Sequence, residues 1–250
     1  MANLFLRHII VGSAGAALTY IFWLSRPDWD GEMRFWKAVG DASLILLYLT
    51  LILGPSARFV RRVGKLLPYR REIGIWFGLF AFLHTFLILD GWARWDVQRF
   101  MGYEFVPPVG RMVRLESGFG LANIVGLVAV ALAVPLMVTS TDWAVRRLGG
   151  SVWKFLHYSA YIVFYLVVLH TAYFMYIHFT ESFHRVPPDP NWFQIPFAVI
   201  TGIVLALQAA AFIKTAGRQR KKDMNLGADE NTRPTRQAKA SYQASRGPAG

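Results

Sequence analysis

The sequence predicts an all-α integral membrane protein, a bundle of six transmembrane helices with both termini on the cytoplasmic side. Three observations predict it. Of 250 residues, 54% are hydrophobic and only 17% are charged, with a mean hydropathy of +0.34, whereas soluble domains carry about 25% charged residues. Six apolar stretches each come near the ~20 residues that a bilayer demands. Finally, Lys and Arg concentrate on alternate connections, as the positive-inside rule requires.

The first stretch covers residues 4–24. Arg7-His8 interrupts it early and Ser25-Arg26-Pro27-Asp28 is a poor cleavage site, so it reads as a retained helix rather than a signal peptide. The others cover 38–57, 73–89, 119–138, 152–177 and 192–213. The third is short. The fifth exceeds the hydrocarbon thickness and is expected to tilt or project. Helices are the expected form, because lipid offers the backbone no hydrogen-bond partner. Nineteen of the 27 Lys and Arg fall on one side: Arg7, six from Arg58 to Arg71, Arg146, Arg147, Lys154 and nine from Lys214 onward. That side is assigned to the cytoplasm. Trp23, Trp29, Trp36, Trp92, Trp95, Trp143, Trp153 and Trp192 sit near expected helix ends, as an aromatic belt does.

Composition also excludes several functions. The absence of Cys removes disulfides, iron–sulfur clusters and thiolate metal sites. The net charge of +12 is accounted for by topology, so no nucleic-acid partner is needed. Residues 217–250 are polar and basic, too poor in large apolar groups to order themselves. The chain therefore divides into a transmembrane domain, 1–216, and a disordered basic cytoplasmic tail, 217–250, able to touch anionic lipid headgroups. The tail is too short for a nucleotide-binding domain, no Gly-rich fingerprint occurs, and no internal repeat is evident.

The chemistry lies in the spans. An ionisable residue within a membrane is a functional candidate by default, and here the clear cases are His84 in the third span and His157 and His170 in the fifth. No carboxylate accompanies them in those two spans. Neutral imidazole is a good axial ligand for haem iron, and two ligands of one haem must lie at similar depth. Rising from the cytoplasmic side at ~1.5 Å per residue, His84 lies ~16 Å in, His170 ~22 Å and His157 only ~3 Å. A haem is therefore placed between His84 and His170, both iron ligands, in the outer half of the membrane. His157 stands near the inner face, where a second cofactor has room. Its natural partner position is Arg70 or Arg71, neither of them a histidine. His157 and His170 are also about 140° apart around an ideal helix, so they share a face only if that helix bends.

Plainer readings stand beside these. A single buried histidine is usually a hydrogen-bonded core residue, and that reading holds for His157 taken alone. His178 and His184 are expected to be solvated or interfacial, His8 interfacial, and Asp90 and Glu116 solvated. Arg70, Arg71, Arg146 and Arg147 can bind propionates or a flavin phosphate, but the positive-inside rule already explains them. The aromatics of the fifth span can line a haem or merely pack.

Several motifs resemble those of the ferric-reductase-like transmembrane family. They are Leu53-Gly54-Pro55-Ser56-Ala57-Arg58, Arg70-Arg71-Glu72-Ile73-Gly74 and Ala81-Phe82-Leu83-His84. The most specific block is Pro135-Leu136-Met137-Val138-Thr139-Ser140-Thr141 with Arg146-Arg147-Leu148-Gly149, Trp153-Lys154, Leu156-His157-Tyr158 and then His170. The resemblance covers about residues 38–175. It is strongest to the branch that serves as the haem-binding membrane subunit of a bacterial periplasmic methionine-sulfoxide reductase. It implies a six-helix inner-membrane bundle holding haem b, one or two per chain, with His84 and His170 as axial ligands and His157 as the third family histidine. It also implies electrons passing from a cytoplasmic flavin reductase or quinone to a periplasmic acceptor, in this branch a molybdenum-containing reductase subunit, and it allows a bound FMN. The chain departs in its long outer connection, 90–118, with Val106-Pro107-Pro108, in the lead-in Leu115-Glu116-Ser117-Gly118, in the connection 178–191 and in the tail. It carries neither the two His pairs nor the fused flavin–nicotinamide domain of the wider superfamily, so the resemblance makes it an electron-transfer subunit rather than a self-sufficient enzyme.

Two other classes compete: a ferric-reductase-like component serving another acceptor and, from a different class, a proton or ion transporter built on buried histidines. Against transport stand the lack of a convincing acidic partner in the spans and of an inverted repeat. A purely structural assembly protein predicts no cofactor at all.

Overall fold

The computed structural model describes residues 2–114, 116–178 and 191–232. Six helices are long and apolar enough to cross a membrane: Leu4–Leu24, Gly31–Ala57, Arg61–Trp92, Phe119–Val138, Gly150–Ile177 and Gln194–Arg220. Each contains most of one expected span, and the chain is a multi-pass membrane protein.

The elements run in order. Helix α1 is Ala2–Leu24 and α2 is Gly31–Ala57. The second helix starts earlier than the sequence reading because Asp30 caps it, its carboxylate accepting from the Glu32 and Met33 amides, which leaves two polar turns at the interface. A 3₁₀ segment, Arg61–Tyr69, leads into α3, Arg70–Leu87, which ends in a π-turn at Ile88–Trp92. The long connection that follows is structured. It holds a single turn, α4 (Val97–Phe100), and a hairpin of β1 (Tyr103–Val106) with β2 (Arg111–Arg114). The strands are antiparallel, with Tyr103 opposite Arg114 and Val106 opposite Arg111. Pro107 and Pro108 lack amide donors and so suit the turn between the strands.

Helix α5 is Phe119–Val138 and is followed by the short α6, Asp142–Leu148. The fifth span is not one helix. It comprises α7 (Gly150–Tyr158), α8 (Ala160–Ala172) and a π-turn, Tyr173–Ile177. The break falls at Ser159, whose amide and hydroxyl both donate to the Leu156 carbonyl; such back-bonding bends a helix. Helix α9, Gln194–Thr232, is the last.

The tail expected to be disordered from residue 217 thus begins inside α9, and helix continues to Thr232. Gln, Arg, Lys and Ala are strong helix formers, and extending a helix already nucleated by a membrane span costs little. Residues 233–250, and the expectation for His184, lie outside the described residues. By its contacts the chain divides into two units, 1–205 and 206–250. In the second, the described residues continue α9.

Within the first unit α2 is the central helix: 67% of its most apolar window is buried, against 17–22% in the other spans. Leu44, Leu47, Tyr48 and Leu51 of α2 pack with Phe77 of α3, Ala133 of α5, Phe164 of α8 and Phe197 of α9. Apolar residues elsewhere stay exposed, such as Phe5, Leu121, Phe155 and Ile195, as side chains facing lipid do. Small residues let the backbones approach. Ala122, Gly126, Ala129 and Ala133 fall on one face of α5, the small-residue pattern of membrane helix packing, and the three alanines are buried.

Candidate functional site

The central observation concerns two histidines on different helices, each fixed in the same way. His84 on α3 donates its Nδ1 hydrogen to the Trp36 carbonyl of α2 at 2.9 Å. His170 on α8 donates its Nδ1 hydrogen to the Ala122 carbonyl of α5 at 2.7 Å. One turn along each accepting helix stands a glycine pressed against the imidazole. A Cβ at Gly40 would lie 3.0 Å from His84 Nδ1 and Cε1, and one at Gly126 would lie 2.7 Å from His170 Nδ1 and 2.8 Å from Cε1. In both cases only a residue without a side chain lets the ring reach the carbonyl.

The two arrangements are copies. Adding 86 to Trp36, Gly40 and His84 gives Ala122, Gly126 and His170, and Val39-Gly40 and Leu83-His84-Thr85 recur as Val125-Gly126 and Leu169-His170-Thr171. Each half is a helical hairpin whose first helix supplies the carbonyl and the glycine and whose second supplies the histidine. Consecutive spans alternate in direction, so the two hairpins run parallel, with each histidine at the same register of its own hairpin. The expectation of no internal repeat is thereby corrected. The conserved spacing is spread over a few residues and separated by unlike loops, so continuous identity does not reveal it.

Both histidines line one cavity of about 610 Å³, within the range of ordinary ligand sites. Its deep end is apolar, with Leu44, Phe77, Ala81, Leu127, Val130 and Val167. Its other end carries Lys37, Asn123, Glu116 and His178, and Asp41 follows Gly40 at the level of the imidazoles. With Nδ1 of each ring bound to a carbonyl, Nε2 bears the lone pair. That carbonyl partnership on the far nitrogen is the usual setting of a metal-ligating histidine. Two neutral imidazole donors on opposed helices, in a cavity with an apolar floor, fit a planar iron porphyrin. Among the described residues no group of three or more His, Asp or Glu could chelate a bare metal ion.

His157 is set apart from this pair. It does not line the cavity. Its ring stacks on Trp153 at 4.0 Å between centroids, and Nε2 lies 3.2 Å from Thr139 Oγ1. The Thr139 hydroxyl already donates to Pro135 O at 2.6 Å, so it accepts from His157, whose Nε2 carries the hydrogen. Trp153 Nε1 donates to Thr139 O at 2.9 Å. Adding 86 to Arg71 gives His157, so the repeat sets an arginine where the other half has this histidine. Arg71 is paired with Asp142, and Arg70 donates to the Thr50 carbonyl.

Sequence reasoning overlooked a group of buried charges. Asp41 is 4% exposed within α2 and pairs at 2.6 Å with Arg26, itself 2% exposed, so an acidic residue does stand within a span. Arg26 also donates to Asn191 Oδ1 at 3.3 Å and lies over Trp29. Glu116, expected to be solvated, is 7% exposed. Tyr173 donates to its Oε1, and His178 Nδ1 lies 2.7 Å from its Oε2. The cause is Gly118, whose φ of +90° turns the chain sharply into α5 and folds Glu116 inward over the cavity. Asp90 is exposed and accepts from Trp95 Nε1. His8 is half-buried on α1.

Comparison with known proteins places this architecture. The family model for the ferric reductase like transmembrane component matches residues 39–168, a segment that holds His84 and His157 and ends two residues before His170. The chain is 33% identical over 136 residues to the protein-methionine-sulfoxide reductase heme-binding subunit MsrQ of Herminiimonas arsenicoxydans, covering 54% of this chain and 55% of that one. It is 27% identical over 188 residues to MsrQ of Brucella melitensis biotype 2, covering 74% and 72%. It is 31% identical over 136 residues to the magnetosome protein MamZ of Paramagnetospirillum magneticum, covering 54% of this chain and 19% of that one. The chain thus spans about half of the Herminiimonas relative and a fifth of MamZ. No solved structure matches it. With its six spans and more than half its length matched, the chain belongs to the ferric reductase-like transmembrane family.

Proposed function

We propose that this protein is the haem b-binding membrane subunit of an oxidoreductase system and moves electrons between the two faces of the bacterial inner membrane. The observation that carries the reading is the duplicated Nδ1–carbonyl bond, which leaves two Nε2 lone pairs on one cavity. His84 and His170 would be the axial ligands. Bound between them, haem iron supplies a one-electron couple inside the bilayer. The protein's own part is to hold both rings in the ligating tautomer, exclude lipid with Gly40 and Gly126 closed against them, and present an apolar floor.

The relatives' names support a partner reductase, since MsrQ is the heme-binding subunit of a protein-methionine-sulfoxide reductase. Charge sets the orientation: the Lys- and Arg-rich side faces the cytoplasm, which makes both termini cytoplasmic, and a donor on that face with an acceptor on the other makes electrons run outward. The donor is a cytoplasmic flavin reductase or quinol, and the acceptor a periplasmic, molybdenum-containing methionine-sulfoxide reductase. One haem b per chain is the stoichiometry that one cavity shared by His84 and His170 supports. His157 would line a second cofactor site only after releasing Thr139, and an FMN site has no residues assigned to it.

The test uses proteoliposomes of the purified chain with reduced flavin inside and the periplasmic reductase with methionine sulfoxide outside. Sulfoxide reduction that needs His84 and His170 supports the proposal. Equal turnover by liposomes lacking the chain would refute it. A transport reading gains something from Asp41, but that carboxylate is already neutralised by Arg26. Proton or ion flux from a haem-free chain would favour it.

A further inference from the structure

Helix α3 carries His84 near its end and a second set of buried polar groups at its start. The motif Arg70-Arg71-Glu72-Ile73-Gly74 opens the helix, and its carboxylate is buried, with Glu72 1% exposed. Glu72 Oε1 lies 4.0 Å from Arg7 Nη1 of α1, beyond hydrogen-bond reach; that nitrogen donates instead to the Pro68 carbonyl at 3.3 Å. Glu72 Oε2 accepts from no described residue. A carboxylate in a first turn suits the positive end of a helix, yet no described amide of α3 reaches this oxygen. One turn further, the Trp76 indole lacks the complementary partner: Nε1 is buried and donates to no described residue.

Both groups face α1. Residues four apart share one face of a helix, and Arg7 of α1 stands beside the carboxylate. At the indole, α1 presses against the edge that bears the N–H: a Cβ at Gly12 would lie 2.9 Å from Trp76 Cε2, the carbon bonded to Nε1. One at Gly15 would lie 2.9 Å from Phe80 Cζ, so the close approach continues for another turn. The repeat shows that this pair is particular to the first half. Eighty-six residues on, Glu72 and Trp76 become Tyr158 and Ile162, 63% and 55% exposed.

The two unpaired atoms are opposite in kind. Oε2 needs a donor and Nε1 needs an acceptor, and leaving either unmade away from water is costly. A hydroxyl meets both needs, because its O–H donates and its lone pairs accept. A cation offers the indole no acceptor and is repelled by Arg7, and an anion is repelled by the carboxylate.

We propose that the seam between α1 and α3 is a hydroxyl-binding site, in which one hydroxyl donates to Glu72 Oε2 and accepts from Trp76 Nε1. With Glu72 1% exposed, the resident is a buried water, the usual bridge between otherwise unsatisfied buried groups. The same chemistry admits the hydroxyl of a lipid-soluble quinol if α1 parts, and that source alone rests on the quinol donor proposed above. The site itself does not depend on haem.

The test is NMR of the full chain in nanodiscs, labelled with ¹⁵N-tryptophan, as wild type, Trp76→Phe, Glu72→Gln and Glu72→Leu. The indole signal that disappears in Trp76→Phe is that of Trp76. In wild type its N–H is expected to show a through-space cross-peak to water. The cross-peak should survive in Glu72→Gln, whose amide oxygen still accepts, and be lost in Glu72→Leu. Added decylubiquinol should leave it unchanged if water is the resident, and replace it by cross-peaks to quinol protons if the quinol enters; either result supports the hydroxyl site. A Trp76 N–H with neither cross-peak overturns the inference, as does a Glu72→Leu protein that keeps the water cross-peak. Electron cryo-microscopy of the wild type at a resolution that shows waters reads the site without any variant: density bridging Oε2 and Nε1 is expected, and a closed seam without it overturns the inference. Haem content of the same samples is read separately, so a wild type without haem sinks the redox reading and leaves this site standing.

Discussion

Replacing Gly126 by alanine tests the geometry of the site with one methyl group. The added Cβ would stand 2.7 Å from His170 Nδ1, and ordinary contact begins near 3.4 Å. The ring must therefore retreat by about 0.7 Å, or α5 must move. A retreat of that size lengthens the 2.7 Å bond to Ala122 O to roughly 3.4 Å, beyond the 2.7–3.2 Å of a good N–H···O bond. The tautomer is then no longer fixed, and Nε2 is no longer held toward the cavity. Loss of such an outer partner typically costs 10–100-fold in metal affinity. At Gly40 the clash is milder, 3.0 Å, so a shift of about 0.4 Å suffices. Helix propensity works in the opposite direction, since alanine is favoured over glycine by about 1 kcal/mol. The folded bundle should therefore survive both changes while haem retention falls, more for Gly126→Ala than for Gly40→Ala. The assay is haem-to-protein ratio by absorbance after size-exclusion chromatography, with thermal unfolding of the same samples. Full haem content and an unaltered spectrum in Gly126→Ala would refute the close-packed, carbonyl-oriented imidazole.

Two further outcomes follow from the buried charges. Asp41→Asn leaves Arg26 charged and buried without its carboxylate and should destabilise the bundle by about 3–5 kcal/mol, read as a lowered unfolding midpoint in detergent; the double replacement Arg26→Met with Asp41→Leu should recover much of it. Glu116→Gln removes the negative charge between Tyr173 and His178, a loss of about 1–3 kcal/mol, and should raise hydrogen exchange in the outer connection while leaving that of α2 unchanged.

Much of the fold was legible because lipid imposes simple rules. Apolar stretches of a given length must be helical, and the six read from hydropathy correspond to the six membrane-crossing segments of the structure. Their ends were less legible. The Asp30 cap and the polar first turns of α2 lie at the interface, where hydropathy is silent. The helical start of the tail was missed because composition argues against independent folding and says nothing about extension from an existing helix. In the site, His84 and His170 stood out as ionisable groups at matching depth. Gly40 and Gly126 did not, because a glycine in an apolar helix is unremarkable until the ring that presses on it is known. The repeat would have revealed them: Val-Gly and Leu-His-Thr recur at a common offset, and a search by spacing rather than by continuous identity finds both. Lys37, Asp41 and Glu116 were hidden for another reason. Near a helix end a charge reads as solvated, and only the packing of α2 and the turn at Gly118 bring these three inward.

The central claim, that His84 and His170 are the two ligands of one haem, is tested most directly by a reduced-minus-oxidised spectrum with haem-to-protein ratio on the purified full chain and its three single His→Ala variants. The account predicts a b-type spectrum near one haem per chain in wild type, its loss in His84→Ala and in His170→Ala, and its retention in His157→Ala. Full haem in either of the first two variants, or none in wild type expressed with ample haem, would contradict it.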